Sequence, residues 1–213
     1  MSLDLVKPII YLITKGDATP VNIDDASRQI LDIVRVAVEE DIPLIQIREK
    51  QLTAKFLFEL AVKVVEITKG SPTRVLVNDR ADIAAAAGAD GVHLTSRSLS
   101  AEVIRKTFGS AFIIGVSTHN IDEAETAVAG GADFIVFGPV FETPGKAEAT
   151  GLSKLSNVCD KLKPFPVIAL GGVDRDNDRS VLDAGASGFA AIRSLNDPEN
   201  LRAIVTANLN QGV

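Results

Sequence analysis

The most constraining feature of this sequence is a regular alternation of short apolar runs with segments whose apolar residues recur at helical spacing. The runs predict eight strands at residues 7–14, 43–47, 74–77, 91–94, 112–116, 134–137, 167–170 and 188–192. The segments between and after them predict eight helices at residues 22–41, 52–68, 81–87, 100–108, 121–129, 152–162, 178–184 and 198–209. We therefore predict an α/β protein, a TIM (β/α)₈ barrel forming a single domain over residues 1–213. A doubly wound open sheet is the competing architecture, but it seldom needs eight units.

A local repeat supports the barrel. The sequences GADG (88–91), GADF (131–134) and GASG (185–188) each follow an Ala-containing helix end and lead into a predicted strand. Gly88, Gly131 and Gly185 fall where a helix ends and a positive φ is favoured. We expect these corners to contribute to stability. We expect the functional site to lie at the opposite ends of the strands.

Composition narrows the classes of function. A formal net charge of −6 and a pI near 5.0 argue against general nucleic-acid or anionic-membrane binding. No apolar run approaches a membrane span and the first residues do not resemble a signal peptide, so we expect a cytoplasmic protein. A single cysteine, Cys159, excludes an intramolecular disulfide and is expected to be a small buried side chain. Two histidines without cysteine partners argue against zinc.

Polar residues and glycines collect just past the predicted strands. These are Arg48, Glu49 and Lys50; Asn78 and Asp79; residues 95–98; Ser117, Thr118 and His119; Thr143 and Lys146; Gly171 and Gly172; and Arg193 and Ser194. Ligands of TIM barrels bind at the carboxyl ends of the strands. Cations, hydroxyls and paired glycines at one rim predict recognition of phosphate or diphosphate.

Each of these residues also has a purely structural interpretation. The Gly171–Gly172 pair could be an ordinary tight turn. Arg48 and Lys50 could form a solvated charge run with Glu49, although strand-like alternation puts the two cations on one side. Asp79 could cap the next helix or pair with its neighbour, and His93 suits a satisfied interior histidine. His119 could transfer protons or cap a helix.

The motifs together resemble the thiamine phosphate synthase/TenI family. The matching segments are YLIT (11–14), QIREK (46–50), VNDRADIAAAAGADGVHL (77–94), IIGVSTHNIDEA (113–124), FGPVFETPGK (137–146), VIALGGV (167–173) and GFAAI (188–192). The resemblance implies a TIM barrel. It also implies one of two activities: synthases join a hydroxymethylpyrimidine diphosphate to a thiazole phosphate with Mg²⁺ and release diphosphate, whereas TenI-type tautomerases shift a proton on a carboxythiazole phosphate.

The resemblance also implies roles for individual residues. Contacts to the pyrimidine diphosphate would come from Gln46, Arg48, Lys50 and Asn78, with Asp79 as a magnesium ligand. The diphosphate would contact Ser117 and Lys146, and the thiazole substrate Thr143. The thiazole phosphate would lie on Gly171, Gly172, Ile192 and Arg193. In a tautomerase, His119 would carry the proton.

Departures from the synthase pattern decide between the two activities. Ser98 occupies the position of a second magnesium-binding aspartate, and a neutral hydroxyl is a poor replacement for a carboxylate beside a hard dication. The loop 143–146 lacks one hydroxyl, and Arg193 replaces a serine. We therefore expect a thiazole tautomerase that uses His119 and no cofactor. The alternatives are a Mg²⁺-dependent synthase and a non-catalytic barrel that senses a phosphorylated ligand. The expected partners are a phosphorylated thiazole and, in a synthase, a pyrimidine diphosphate, with no nucleic acid or membrane; a homo-oligomer is left open.

Overall fold

The computed structural model describes residues 8–143 and 148–209. The strands are β1 (Ile9–Ile13), β2 (Leu44–Ile47), β3 (Arg74–Asn78), β4 (Gly91–Leu94), β5 (Ile113–Thr118), β6 (Phe134–Phe137), β7 (Val167–Leu170) and β8 (Gly188–Ala191). The helices are α1 (Ile23–Glu39), α2 (Ala54–Thr68), α3 (Ala81–Ala87), α4 (Ala101–Phe108), α5 (Ile121–Ala129), α6 (Gly151–Leu162), α7 (Asp178–Asp183) and α8 (Pro198–Leu209). A short 3₁₀ helix, Ser194–Asn196, follows β8.

The eight strands pair in chain order and close into a barrel, which confirms the predicted (β/α)₈ fold. Pairing is parallel, with Gln46 opposite Leu76 across β2 and β3, for example. The chain falls into two compact units. One contains the described residues up to Ile10 together with His93–Ala191, and the other contains Tyr11–Val92 and the described residues from Ile192 onward. The expectation of a single domain over residues 1–213 stays a prediction.

Burial follows the predicted periodicities. All four residues of β2, β4, β6 and β8 are buried, as expected for parallel strands covered by helices. In α1 the buried residues lie along one stripe, namely Ala26, Ile30, Ile33, Val34 and Ala37. Several helices begin where a side-chain oxygen accepts a backbone N–H, as Ser100 does at α4. None of the helices in the described part of the chain combines the length and apolar character needed to cross a bilayer.

The repeated glycine corners have the predicted backbone. The φ angles are +74° at Gly88, +85° at Gly131 and +95° at Gly185. The acidic residue of each GAD sequence adds a bond that the repeat did not reveal. Asp90 accepts the backbone N–H of Val75 at 2.8 Å, and Asp133 accepts that of Ile114 at 2.7 Å. These carboxylates therefore tie each corner to the start of the preceding strand.

Several strand boundaries differ from the predicted ones: β1 and β2 are shorter than predicted, and β3, β5 and β8 end at other residues. β5 continues through Ser117 and Thr118 because these residues stay in register with Val136 and Phe137 of β6. β3 includes Asn78, and β8 ends at Ala191. Ser117, Thr118 and Asn78 are therefore strand residues, and not loop residues as predicted.

Candidate active site

The carboxyl end of β2 carries a buried polar pair. Gln46 is 1% exposed, and its Nε2 donates to the Tyr11 hydroxyl of β1 at 2.9 Å. Burial raises the pKa of Tyr11 well above its ordinary value, and the hydrogen bond with Gln46 offsets only part of that rise. The phenol therefore stays protonated, and the Gln46 amide is held in one orientation by a neutral partner.

Beyond β2, the REK sequence divides between solvent and the interior. Arg48 is half-buried and Lys50 is exposed, whereas Glu49 is only 2% exposed. The Glu49 carboxylate accepts the backbone N–H of Gly16 at 3.0 Å and that of Ala18 at 2.9 Å. Glu49 thus holds the loop between β1 and α1, and the interpretation of Glu49 as part of a solvated charge run is wrong. The burial of Glu49 could have been predicted, because the strand-like alternation that puts Arg48 and Lys50 on one side puts Glu49 on the other.

Asp79 follows β3 in a backbone conformation that is rare for residues other than glycine. Its φ is +60°, and the N–H of Arg80 donates to the carbonyl of Asn78 at 2.8 Å across it. An i to i+2 bond around a positive φ is the pattern of a strained γ-turn. The Asn78 amide donates to Asp79 Oδ2 at 2.8 Å, so the carboxylate is also oriented by its neighbour. Asp79, the predicted magnesium ligand, therefore has a backbone conformation that costs energy, and such conformations are typical of functional positions.

The end of β8 is fixed by a residue that the sequence did not single out. Asn196 donates from Nδ2 to the carbonyl of Ile13 at 2.7 Å and to that of Ile192 at 2.5 Å. The Ile192 carbonyl is therefore engaged within the protein. Arg193 precedes the 3₁₀ helix and is exposed.

In the other unit, Ser117 of β5 forms a hydrogen bond with a histidine of β4. His93 Nε2 lies 2.8 Å from Ser117 Oγ, and the imidazole is 2% exposed. His93 is thus a satisfied interior histidine, as predicted, and its partner is a predicted diphosphate ligand. Ser98 has a local partner, because its Oγ accepts the backbone N–H of Thr95 at 2.6 Å.

His119 is an exposed residue directly before α5. Glu123 accepts both its backbone N–H at 2.8 Å and its Nδ1 at 3.0 Å, while Asn120 caps the helix by accepting the N–H of Glu123. Burial alone would raise the pKa of Glu123, but the hydrogen bonds from His119 lower it below its usual range. A carboxylate only accepts, so Nδ1 carries a proton, and Nε2 is the ring nitrogen that could act as a base. Asn120 therefore performs the capping role considered for His119.

The turn after β7 is built from two glycines with positive φ angles. Gly171 and Gly172 have φ angles of +103° and +66°. A Cβ on Gly171 would lie 2.5 Å from Pro139, and one on Gly172 would lie 2.8 Å from the Cβ of Phe141. Only glycine fits both the backbone conformation and the space. Nearby, Thr143 donates its hydroxyl to the carbonyl of Phe141 at 3.1 Å.

Two predictions about this rim are left open. Lys146 lies outside the described residues, so its predicted diphosphate contact stays a prediction. Among residues 8–143 and 148–209, no three His, Cys, Asp or Glu side chains are grouped so that they could hold a metal ion. The prediction that all these groups share one rim also stays a prediction.

The comparisons with known proteins agree with the expected family. The family model described as thiamine monophosphate synthase matches residues 10–195. A putative thiamine-phosphate synthase from Geobacter sulfurreducens is 44% identical over 189 residues, covering 87% of this chain and 85% of the relative. A thiamine-phosphate synthase from Gloeobacter violaceus is 38% identical over 189 residues, covering 86% of this chain but only 55% of that longer protein.

A solved structure leads to the same family. The structure of a thiamine phosphate pyrophosphorylase from Pyrococcus furiosus superposes with a TM-score of 0.79 at 31% identity, covering 95% of this chain and 98% of that one. The expected enzyme of thiamine biosynthesis is confirmed at the level of the family. The names of these relatives match the synthase alternative better than the tautomerase expectation. The chain therefore belongs to the thiamine monophosphate synthase family.

Proposed function

We propose that the protein is a thiamine-phosphate synthase. It would couple a hydroxymethylpyrimidine diphosphate to a thiazole phosphate: the bond between the pyrimidine methylene carbon and the diphosphate oxygen breaks, a bond from that carbon to the thiazole nitrogen forms, and diphosphate leaves. The names of the relatives support this activity. So does the oriented carboxylate of Asp79, which a tautomerase does not need.

The observation that carries the proposal is the backbone of Asp79. Asp79 lies in a strained turn directly after a barrel strand. A residue that served only to terminate the strand would not need such a conformation. Asp41 provides the contrast. It also has a positive φ, of +52°, but it follows the C-cap of α1, where that conformation is ordinary. Asp79 follows a barrel strand and not a helix C-cap, and we assign its conformation to ligand binding.

The donor set fits a magnesium ion that is shared with a substrate. Mg²⁺ is usually held by one or two carboxylates together with phosphate oxygens and water, so Asp79 with a bound diphosphate satisfies its preferences. The hydroxyl of Ser98 already accepts a backbone N–H, and it supplies no charge. When bound, Mg²⁺ would neutralise the charge that develops on the departing diphosphate.

The remaining roles belong to the side chains of the chain itself. Arg48 and Lys50 would neutralise the diphosphate of the pyrimidine substrate, and Gln46 and Asn78 would orient it. Ser117 and Lys146 would donate to the same diphosphate, and Thr143 would contact the thiazole. The backbone of Gly171 and Gly172, with Ile192 and Arg193, would bind the thiazole phosphate.

The test is an incubation of the purified protein with both substrates, with and without Mg²⁺. We expect thiamine phosphate and diphosphate to appear only with the metal. Asp79→Asn keeps a residue that tolerates positive φ but removes the charge, and it should lower kcat by about 100-fold or more. Asp41→Asn is the matched control, because it makes the same change in a similar backbone conformation, and its activity should be unchanged. Full activity of Asp79→Asn would reject the proposed metal ligand.

A second candidate is the thiazole tautomerase, and the His119–Glu123 pair favours it. The fixed tautomer leaves Nε2 of His119 ready to accept a proton, as a general base requires. The tautomerase candidate requires that wild-type protein isomerises the carboxythiazole phosphate without metal and that His119→Ala abolishes this turnover. Turnover that survives His119→Ala would reject it. Binding of a thiazole phosphate without either reaction would instead support the ligand-sensing alternative. The cytoplasmic location and the homo-oligomer stay predictions.

A further inference from the structure

The imidazole of His93 contacts one of the residues to which the proposed function gives a substrate role. Its Nε2 lies 2.8 Å from Ser117 Oγ, although the two residues are 24 positions apart in the chain. Ser117 is half-buried and stands one residue before the end of β5, whereas His93 is almost fully buried. The histidine is therefore placed behind the serine, away from solvent.

The neighbouring residues make room for this imidazole and hold it. Gly115 lies two residues before Ser117, so both face the same side of β5. A Cβ on Gly115 would collide with the ring of Phe134 and would lie 2.9 Å from His93 Nδ1. The rings of His93 and Phe134 pack with their centroids 6.3 Å apart. The absence of a side chain at Gly115 thus lets the His93 ring reach Ser117 in a fixed orientation.

The chemistry of the hydroxyl sets the direction of this hydrogen bond. A serine hydroxyl has one proton, and ionised phosphate oxygens accept hydrogen bonds but offer none. If Ser117 donates to a diphosphate, its oxygen must act as the acceptor toward His93. The Nε2 of His93 must then carry a proton. Donation into the serine oxygen also polarises the O–H bond and strengthens the bond to the anion.

We propose that His93 is a positioning residue that donates from Nε2 to Ser117 Oγ and so turns the serine proton toward the substrate diphosphate. This inference rests on the proposed function, because it takes the diphosphate contact of Ser117 from there. It adds a residue behind the substrate contacts that the family resemblance did not assign. The hydrogen bond, the buried imidazole and the space left by Gly115 support it together.

The test combines four variants, namely Ser117→Ala, His93→Leu, the double variant and His93→Gln. Ser117→Ala should lower kcat/KM for the pyrimidine diphosphate by about 100-fold, as expected for a lost donor to a developing anion. His93→Leu should lower it by about 10-fold and leave KM for the thiazole phosphate unchanged. The double variant should match Ser117→Ala, because His93 acts only through the serine. His93→Gln should recover activity, since its amide can donate near the position of Nε2.

Separate controls distinguish positioning from a general structural effect. Ile135→Val changes a buried residue of β6, and it should lower stability without changing kcat/KM. Three outcomes would overturn the proposal. His93→Leu could lower kcat/KM equally for both substrates, its loss could add to that of Ser117→Ala in the double variant, or His93→Leu could keep wild-type activity.

A binding experiment tests the positioning role of His93 independently of the proposed synthase activity. The binding of inorganic diphosphate to wild-type protein and to His93→Leu is measured by calorimetry in the presence of Mg²⁺. We expect His93→Leu to bind about 10-fold more weakly even if the wild-type protein makes no thiamine phosphate. In that case the synthase proposal fails and the positioning role is supported. Equal affinities, or no binding by the wild type, would overturn the positioning role.

Discussion

Thr118 and Thr14 are buried threonines at the carboxyl ends of their strands, and they differ in whether the hydroxyl has a partner. Among the described residues, Thr118 Oγ1 has no hydrogen-bond partner. Thr14 Oγ1 accepts the backbone N–H of Arg48 at 2.8 Å. A buried hydroxyl without a partner loses its hydration and gains nothing in return, whereas a satisfied one stabilises the fold.

The same substitution should therefore have opposite effects at these two positions. Thr118→Val replaces an unsatisfied hydroxyl with a methyl group of similar size and should raise the free energy of unfolding by about 1 kcal/mol. Thr14→Val leaves the N–H of Arg48 without its acceptor and should lower the free energy of unfolding by about 1–3 kcal/mol. Urea unfolding at equilibrium measures both values. A destabilised Thr118→Val would mean that this hydroxyl does have a partner.

Cys159 should behave as an inert thiol. Burial, together with the nearby carboxylate of Asp160, raises the pKa of Cys159 to about 11. Because only the thiolate reacts, labelling of the folded protein should be slow near neutral pH and should rise about tenfold per pH unit up to that pKa. Labelling of the urea-unfolded chain should level off near pH 8.5, the ordinary thiol value. Equal labelling rates for the folded and unfolded protein at about pH 7.5 would contradict this prediction.

The loop between β1 and α1 is an element whose conformation depends on one distant side chain. Glu49 follows β2, yet its two carboxylate oxygens accept the backbone N–H groups of Gly16 and Ala18. Gly16 also packs closely on Arg48, because a Cβ there would lie 2.9 Å from the guanidinium. The loop and the predicted anion ligand Arg48 are therefore held together by the same short segment of chain.

Glu49→Gln should loosen this loop. The amide replaces one charged acceptor with a donor that faces a backbone N–H, and stability should fall by about 1–3 kcal/mol. Hydrogen exchange at the amides of Gly16 and Ala18 should accelerate more than exchange in α2. Glu59→Gln is the matched control, since Glu59 is exposed and, within residues 8–143 and 148–209, forms only a long ion pair with Lys55. It should have almost no effect. Unchanged protection of the two amides in Glu49→Gln would contradict the anchoring role.

At the scale of the whole molecule, closure of the barrel depends on a tight approach between the last strand and the first. The N–H of Ile9 donates to the carbonyl of Ser187 at 2.9 Å. A Cβ on Gly188 would collide with the backbone of Ile9. Gly188 does not have a positive φ, so its requirement for glycine comes from space alone.

Gly188→Ala should therefore weaken the fold as a whole. We expect the free energy of unfolding to fall by at least about 2 kcal/mol, because either the backbone of β1 or that of β8 must shift. Gly88→Ala is the control: Gly88 has a left-handed helical conformation, with φ +74° and ψ +22°, and the added methyl group would meet only Val65 Cγ1 at 4.0 Å. It should therefore cost only about 1 kcal/mol of backbone strain. Denaturant titrations compare the two variants. A loss no larger for Gly188→Ala than for Gly88→Ala would show that the strands separate without cost.

The sequence by itself was enough to predict the barrel and most of its elements. The bounds of α3 and β4 are those predicted, and the three repeated glycines have positive φ. The paired glycines after β7 form a turn, although the anion contact predicted for Gly171 and Gly172 stays a prediction. Periodicity, turn chemistry and helix termination depend on neighbours within a few residues, so the linear sequence contains the information that they need.

Only the tertiary structure decided which polar groups meet. It buried Glu49 under the β1–α1 loop, extended β5 through Ser117 and joined that serine to His93. It also tied Asn196 to the carbonyl of Ile13, 183 residues away. A side chain's partner is determined by strand register and by the packing of segments that are distant in the chain. Local patterns therefore predicted that polar residues follow the strands, but not which of them bind one another.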